Sequence, residues 1–457
     1  MEVFGNAAEI SGKRAEEELM LKRGFLTTVA AVSLMAAAAL PAKAEISIMY
    51  MESFGSLIES GIAKFEAETG EKVNAIKLPG QGYDQRIALD LSAGTAADVN
   101  LIDSFMVSEL ASAGYLLPLD EQLAGWDQYQ YYLPGLLEVA SYQDQVYALP
   151  TDTDVRMLWY DLSNFEKAGI PTPWEPKNWA DILDAAQKLK DAGVQYPFQL
   201  PAGTKQAEAA TMQGVYMALL GADVPEGDRN RLLKRDTNQW IGDSPALRRT
   251  FELYHQVYSE KELNPADLNY ATDIGAAVRA ALANDQLGIL ASGSWEDACL
   301  WDCNNPPSRE ERDAQVGWTP WPGSGEPGTK ATTNISGGWT IGVNTNASDK
   351  DLAFKLVTTI FDEANFKAWT LANHRMAVRT DISESPEYTA DPFLAKATAL
   401  AADTTGRDTI PGYQTVSALI QQATSDLVDG VSVDEVVQTY HDALVDEFGE
   451  EKVITYE

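Results

Sequence analysis

From residue 45 onward the apolar residues switch repeatedly between a period of two and a period near 3.6, and this alternation restricts the chain to layered α/β architecture. Glu45-Ile46-Ser47-Ile48-Met49-Tyr50 reads as a strand. Residues 56–68 place Leu57, Ile58, Ile62 and Phe65 on one helical face, and Gly70 ends that helix. A strand over 73–78, a helix over 83–93 closed by Gly94, a strand over 98–102 and a helix over 108–113 capped by Gly114 follow. The alternation resumes after Pro150 with a strand at 156–160 and an amphipathic helix at 179–192. Further helices are predicted at 206–220, 245–260 and 273–284, and a short buried strand at 287–291. The proline-rich stretch 303–327 reads as loop. A strand over 336–343, a helix over 350–361 and a helical segment over 415–448 complete the pattern. Strands interleaved with helices predict a largely parallel sheet.

With 457 residues, 45% of them hydrophobic, the chain exceeds one simple core, and two lobes are expected. The net charge of −34 disfavours nucleic acid, whose binding requires Lys and Arg to neutralise phosphates, and also disfavours docking on anionic lipid. At the amino end, Lys22-Arg23 precede an apolar run over 25–40, followed by Pro41-Ala42-Lys43-Ala44. This is the layout of a signal peptide over 20–44, with cleavage between Ala44 and Glu45, export to the periplasm and a soluble mature chain not inserted in the membrane. No cysteine stands at the cleavage site to carry a lipid. Residues 1–19 precede a second plausible start at Met20.

The two cysteines, Cys299 and Cys303, are too few for a zinc site, and the three histidines are scattered, so no metal or other cofactor is expected. In an exported protein the pair fits a local disulfide, with free thiols the alternative.

Several segments, in order, resemble the extracellular solute-binding proteins, family 1, of the maltose-binding type. They are 63–73 (AKFEAETGEKV), 94–99 with 113–119 (GTAADV, AGYLLPL), 146–150 with 158–161 and 165–170 (VYALP, LWYD, FEKAGI), Gly293-Ser294-Trp295, and 337–343 (GGWTIGV). Together they span nearly the whole chain after residue 44. The resemblance implies a two-lobed, type II periplasmic binding fold with discontinuous lobes joined by hinge crossovers. The boundaries it suggests are a leader at 1–44, a first lobe at 45–152 plus 317–358, and a second at 153–316 plus 359–457. It implies capture of a carbohydrate in the inter-lobe cleft, delivery to the permease subunits of an ABC importer, and no catalysis. A polyamine, sugar acid or sulfonated sugar is the alternative solute. A glycoside hydrolase is the alternative class, but no nucleophile elbow, phosphate loop or metal-ligand cluster stands in the sequence.

Sugars pack C–H faces on aromatic rings and bond their hydroxyls to charged or amide groups. Glu52 and Asp103 follow strands at their carboxyl ends, where open α/β sheets bind ligands. Gln81 and Tyr83 stand in the loop after the second strand. Trp339 follows Gly337 and Gly338, which let a ligand approach backbone. Asp152 and Asp154 follow Pro150 at the first crossing, and the resemblance assigns Asp154 to the ligand. Arg156 pairs with Asp154 or reaches the solute. The resemblance also assigns Trp295 as a stacking ring and Arg375 as part of a loop after the third crossing. Trp318 and Trp321 flank Pro320 on the expected second crossover.

Overall fold

The computed structural model describes residues 45–301, 307–401, 404–408 and 410–457. The leader 1–44, with its expected signal peptide, lies outside these residues, as does Cys303.

Two five-stranded sheets organise residues 46–457. The first contains β1 (Ile46–Met51), β2 (Val73–Leu78), β3 (Val99–Asp103) and β4 (Ala148–Pro150). The second contains β5 (Arg156–Asp161), β6 (Tyr196–Gln199), β7 (Leu287–Gly293), β8 (Val316–Pro322) and β9 (Thr332–Thr333). The chain then returns to the first sheet as β10 (Trp339–Val343). The strand orders are β2-β1-β3-β10-β4 and β9-β8-β5-β7-β6.

The largely parallel sheet expected from the alternation is corrected here. β1 is parallel to β2 and β3, but β10 runs antiparallel to both β3 and β4. In the second sheet β5 lies antiparallel between β7 and β8, and only β6–β7 is parallel. The cause is topological: a strand that arrives from the other lobe enters at the cleft end and runs back against its neighbours.

The stretch 303–327, read as loop, holds a helix over Arg309–Gln315 and the strand β8. Ser308 and Glu311 form a reciprocal capping box at that helix. Because β8 pairs with β5, residues 317–322 belong to the second sheet, and the return comes between Thr333 and Trp339 rather than at 316/317. The segment 359–380 also departs from expectation. Helix Glu363–Ala372 packs on helix Gly55–Thr69 of the first lobe, with Asn365 Nδ2 donating to the Leu57 carbonyl at 3.3 Å. The helical run 415–448 is two helices, Tyr413–Val428 and Val433–Phe448, broken at Gly430. These pack with Pro245–His255 in the second lobe.

The buried apolar residues form one continuous cluster that runs through both lobes. Leu57, Phe65, Val99 and Ile341 are buried in the first, and Trp159, Phe198, Phe251 and Ile289 in the second. Among the described residues no helix is long and apolar enough to cross a membrane.

Candidate functional site

The carboxyl ends of β1 and β3, the loop after β2 and the start of β10 form one edge of the first sheet. The start of β5 and the end of β7 form the facing edge of the second, because Arg156 pairs with Gly293 in register. Two crossing segments run between them. The first, residues 151–155, is tied to the second crossing by Thr151 and Thr153, whose hydroxyls donate to the carbonyls of Trp339 and Gly337.

Asp152 is buried. Its carboxylate accepts from the Trp339 amide at 3.2 Å and from Arg375 Nη1 at 3.2 Å. Burial pushes this carboxyl upward, and Arg375 opposes the shift. Gly338 makes the packing feasible: its φ is +135°, and a Cβ there would overlap the Asp152 carbonyl oxygen. The Arg375 guanidinium lies over Phe54 and Trp369, and Phe54 touches Trp339 at 5.8 Å between ring centroids.

Asp154 accepts from the Gly337 amide at 2.8 Å and pairs with Arg156. Arg156 is buried, its guanidinium stands 5.0 Å from the centroid of Trp295, and its Nε has no hydrogen-bond partner among the described residues. Burial lowers its pKa. Of the two roles open to Arg156, the pair with Asp154 is formed. Trp295 is half-buried and donates from Nε1 to Glu296 at 3.0 Å.

Asp103 caps the helix Ser104–Ser112 and receives Arg407 Nη2 at 2.6 Å. Arg407 also donates to Ser104 Oγ at 3.0 Å and to Glu208 Oε1 at 3.2 Å, and lies over Phe105. It thus joins Asp103 of the first lobe to Glu208 of the second. Glu208 additionally accepts from the hydroxyls of Tyr413 and Ser417. Burial opposes the charge on Arg407, but Asp103 and Glu208 reverse this and hold its pKa above the ordinary value.

Tyr83 is fully buried and donates to the carbonyls of Met49 and Leu101, so its hydroxyl serves the first lobe's core while its ring meets Trp339 edge-on. Gln81 is exposed, and its Nε2 reaches the Lys205 carbonyl of the second lobe at 3.4 Å. Glu52 opens a single 3-10 turn after β1 with its side chain exposed. Trp321 is buried against Phe198, and Trp318 packs edge-on against Phe393, so both serve the second lobe.

Arg407, Glu208, Tyr413 and Trp369 were not singled out from the sequence. Arg407 stands in an irregular loop 304 positions from its partner Asp103, and no local pattern marks it. Among the described residues no group of His, Cys, Asp or Glu is arranged to hold a metal ion.

The arrangement can bond hydroxyls with carboxylates and guanidiniums and pack C–H faces on rings. Comparisons with known proteins agree with this architecture. A binding protein of Brucella abortus (strain 2308) is 22% identical over 411 residues, 89% of this chain and 93% of that protein. The sn-glycerol-3-phosphate-binding periplasmic protein UgpB of Rhizobium meliloti (strain 1021) is 30% identical over 112 residues, 23% of this chain and 26% of that one. Among solved structures, an ABC transporter solute-binding protein from Thermotoga lettingae bound with α-D-tagatose superposes with a TM-score of 0.75 at 22% identity, covering 88% of this chain and 98% of that one. Maltose-bound T. maritima MalE3 gives 0.74 at 18%, covering 88% and 99%. The fold is therefore that of the two-lobed, maltose-binding-like periplasmic proteins. Residues 50–365 match the model of a bacterial extracellular solute-binding protein, and the chain belongs to that family.

Proposed function

We propose that this chain captures a carbohydrate or polyol between its lobes and hands it to the permease subunits of an ABC importer. The observation that carries this reading is the meeting of both sheet edges at Arg407, which bonds Asp103 from one lobe and Glu208 from the other. A hydroxyl-rich solute suits a cleft that offers carboxylates, guanidiniums and the rings of Trp295 and Trp339. Solved structural relatives hold α-D-tagatose, maltose, ribitol and D-mannitol. The family and the signal-peptide layout support export through a leader cleaved after Ala44, with the mature chain acting outside the cytoplasmic membrane. The pairing of Cys299 with Cys303 is part of the same reading.

The lobes we assign are 46–152 with 339–379, and 156–333 with 391–457. The intervening segments act as hinges. Closure follows from mass action: a solute touching both lobes favours the closed form. The working residues are Asp152, Asp154, Arg156, Trp295, Trp339 and Arg375, joined by Asp103, Glu208 and Arg407. Glu52 and Gln81 stand at the rim, and Tyr83 positions Trp339.

A thermal-shift screen of the purified protein against monosaccharides, oligosaccharides, polyols and sugar acids tests this. At a hundredfold excess over Kd, one bound solute adds about 2.7 kcal/mol, a shift of a few degrees. A flat response to every sugar and polyol counts against the proposal.

A further inference from the structure

Arg407 stands in the irregular loop 404–408, where no helix or strand holds a long side chain in place. Its neighbours are nevertheless fixed from outside the loop. Arg231 directs each of its three guanidinium nitrogens to them: Nη1 donates to Thr405 Oγ1 at 3.1 Å, Nη2 to the Gly406 carbonyl at 2.6 Å and Nε to Asp408 at 3.0 Å. The Asp408 side chain is fully buried and also accepts from Arg235 Nε at 3.1 Å and from the Tyr216 hydroxyl at 2.7 Å. The residues on both sides of Arg407 are thus clamped. Arg407 itself is left to bond Asp103 and Ser104 of the first lobe and Glu208 of the second.

The clamp is seated in the second lobe. Arg231 stands just before the strand Leu233–Lys234, and the neighbouring Leu232 carbonyl accepts from the Ile241 amide at 2.8 Å. Tyr216 opens the buried helix Tyr216–Ala222. The same loop also meets the second crossing: the Ser336 amide donates to the Thr405 carbonyl at 3.0 Å, and Ser336 Oγ donates to Thr404 Oγ1 at 2.7 Å. A guanidinium held this way loses little freedom when a solute arrives, because its ordering is already complete in the folded chain.

Resting on the reading of the cleft as a sugar or polyol site, we propose that Arg231 and Asp408 are positioning residues for solute capture. Both are buried. They act on the solute through Arg407, whose guanidinium they hold across the junction of the lobes.

A double-mutant cycle in titration calorimetry tests it, with D-tagatose, maltose, ribitol, D-mannitol and D-glucuronate as the probes. D408N keeps the shape of the side chain and removes its charge, and is expected to weaken binding about tenfold, the size of one charge-assisted contact. R407Q is expected to weaken binding about 10- to 100-fold. Adding D408N to R407Q is expected to change Kd by less than about twofold, because residues that act through one another are not additive. The unliganded unfolding midpoint distinguishes positioning from general loosening: D408N should lower it equally in both backgrounds. Y216F removes one donor to Asp408 at nearly constant volume, is expected to weaken binding about threefold, and replaces D408N in the cycle if that variant does not fold. A full effect of D408N, or of Y216F in its place, in the R407Q background overturns the assignment while leaving solute capture intact, and so does wild-type affinity in these variants. A wild-type protein that binds none of the probes removes the reading of the cleft, and this inference with it.

Discussion

Two buried ionic clusters invite comparison. One is centred on Asp297, whose side chain is fully buried and pairs with Arg309 at 2.8 Å, with Arg312, and with His374 Nδ1 at 2.6 Å. Asp391 takes the other side of Arg309 at 2.6 Å, and Asp313 that of Arg312. The other is the cluster around Arg407, where one guanidinium bonds both Asp103 and Glu208 and the Nε of neighbouring Arg156 has no partner among the described residues. In the first, charges that bridge neighbouring elements answer one another, as a structural knot requires. In the second, hydrogen-bonding capacity is left over, as the proposed capture of a guest requires. The two clusters therefore differ in what remains unsatisfied, not in residue type.

That contrast breaks if D297A alters solute affinity but not stability. Removing this carboxylate leaves Arg309 and Arg312 without their shared partner, and about 3–5 kcal/mol of unfolding free energy should be lost in a urea titration, with Kd unmoved. The hinge between the clusters offers a second test. G338A forces a Cβ against the Asp152 carbonyl at a φ of +135°, and roughly 2 kcal/mol or more of stability should disappear. A wild-type denaturation midpoint would show that the crossing relaxes with little strain. On the cleft side, W295A should weaken solute binding about tenfold, within the range for aromatic contacts, while the unfolding midpoint stays close to wild type. A calorimetric Kd equal to wild type would remove Trp295 from the cleft.

The smallest effect concerns Asp161, a buried carboxyl outside both clusters that caps the helix Leu162–Lys167 through the Asn164 amide at 2.7 Å. Burial pushes it up to about 6 from 3.8. A folded pKa raised above the unfolded one favours the fold below about pH 3.8, and that contribution is lost as pH rises through about 6. D161N keeps a capping side chain and removes the charge. Its melting temperature should vary less with pH between these limits than that of the wild type, and a parallel pH profile would contradict the assignment.

Much of the architecture was legible in the chain itself. The strand 46–51 and the helices opening at Trp179 and ending at Gly70 follow from local periodicity and stop signals, which need no distant partner. Asp152, Asp154, Arg156 and Arg375 stood out because they border the crossing after Pro150 or match a family segment, and the structure gathers them into two ion pairs. Tyr83 shows the limit of such reading, since its loop position was right but its hydroxyl is bonded to core carbonyls.

Short-range pattern and composition were enough for the succession of strands and helices, the acidic balance and the two-lobed family character. Strand direction in the second sheet, the late return at Trp339, and the joining of Asp103 to Arg407 and Glu208 emerged only in three dimensions. The reason is that pairing across a sheet or a cleft depends on which distant segments the folded backbone brings within hydrogen-bond reach, and a periodicity confined to a dozen residues carries no record of that choice.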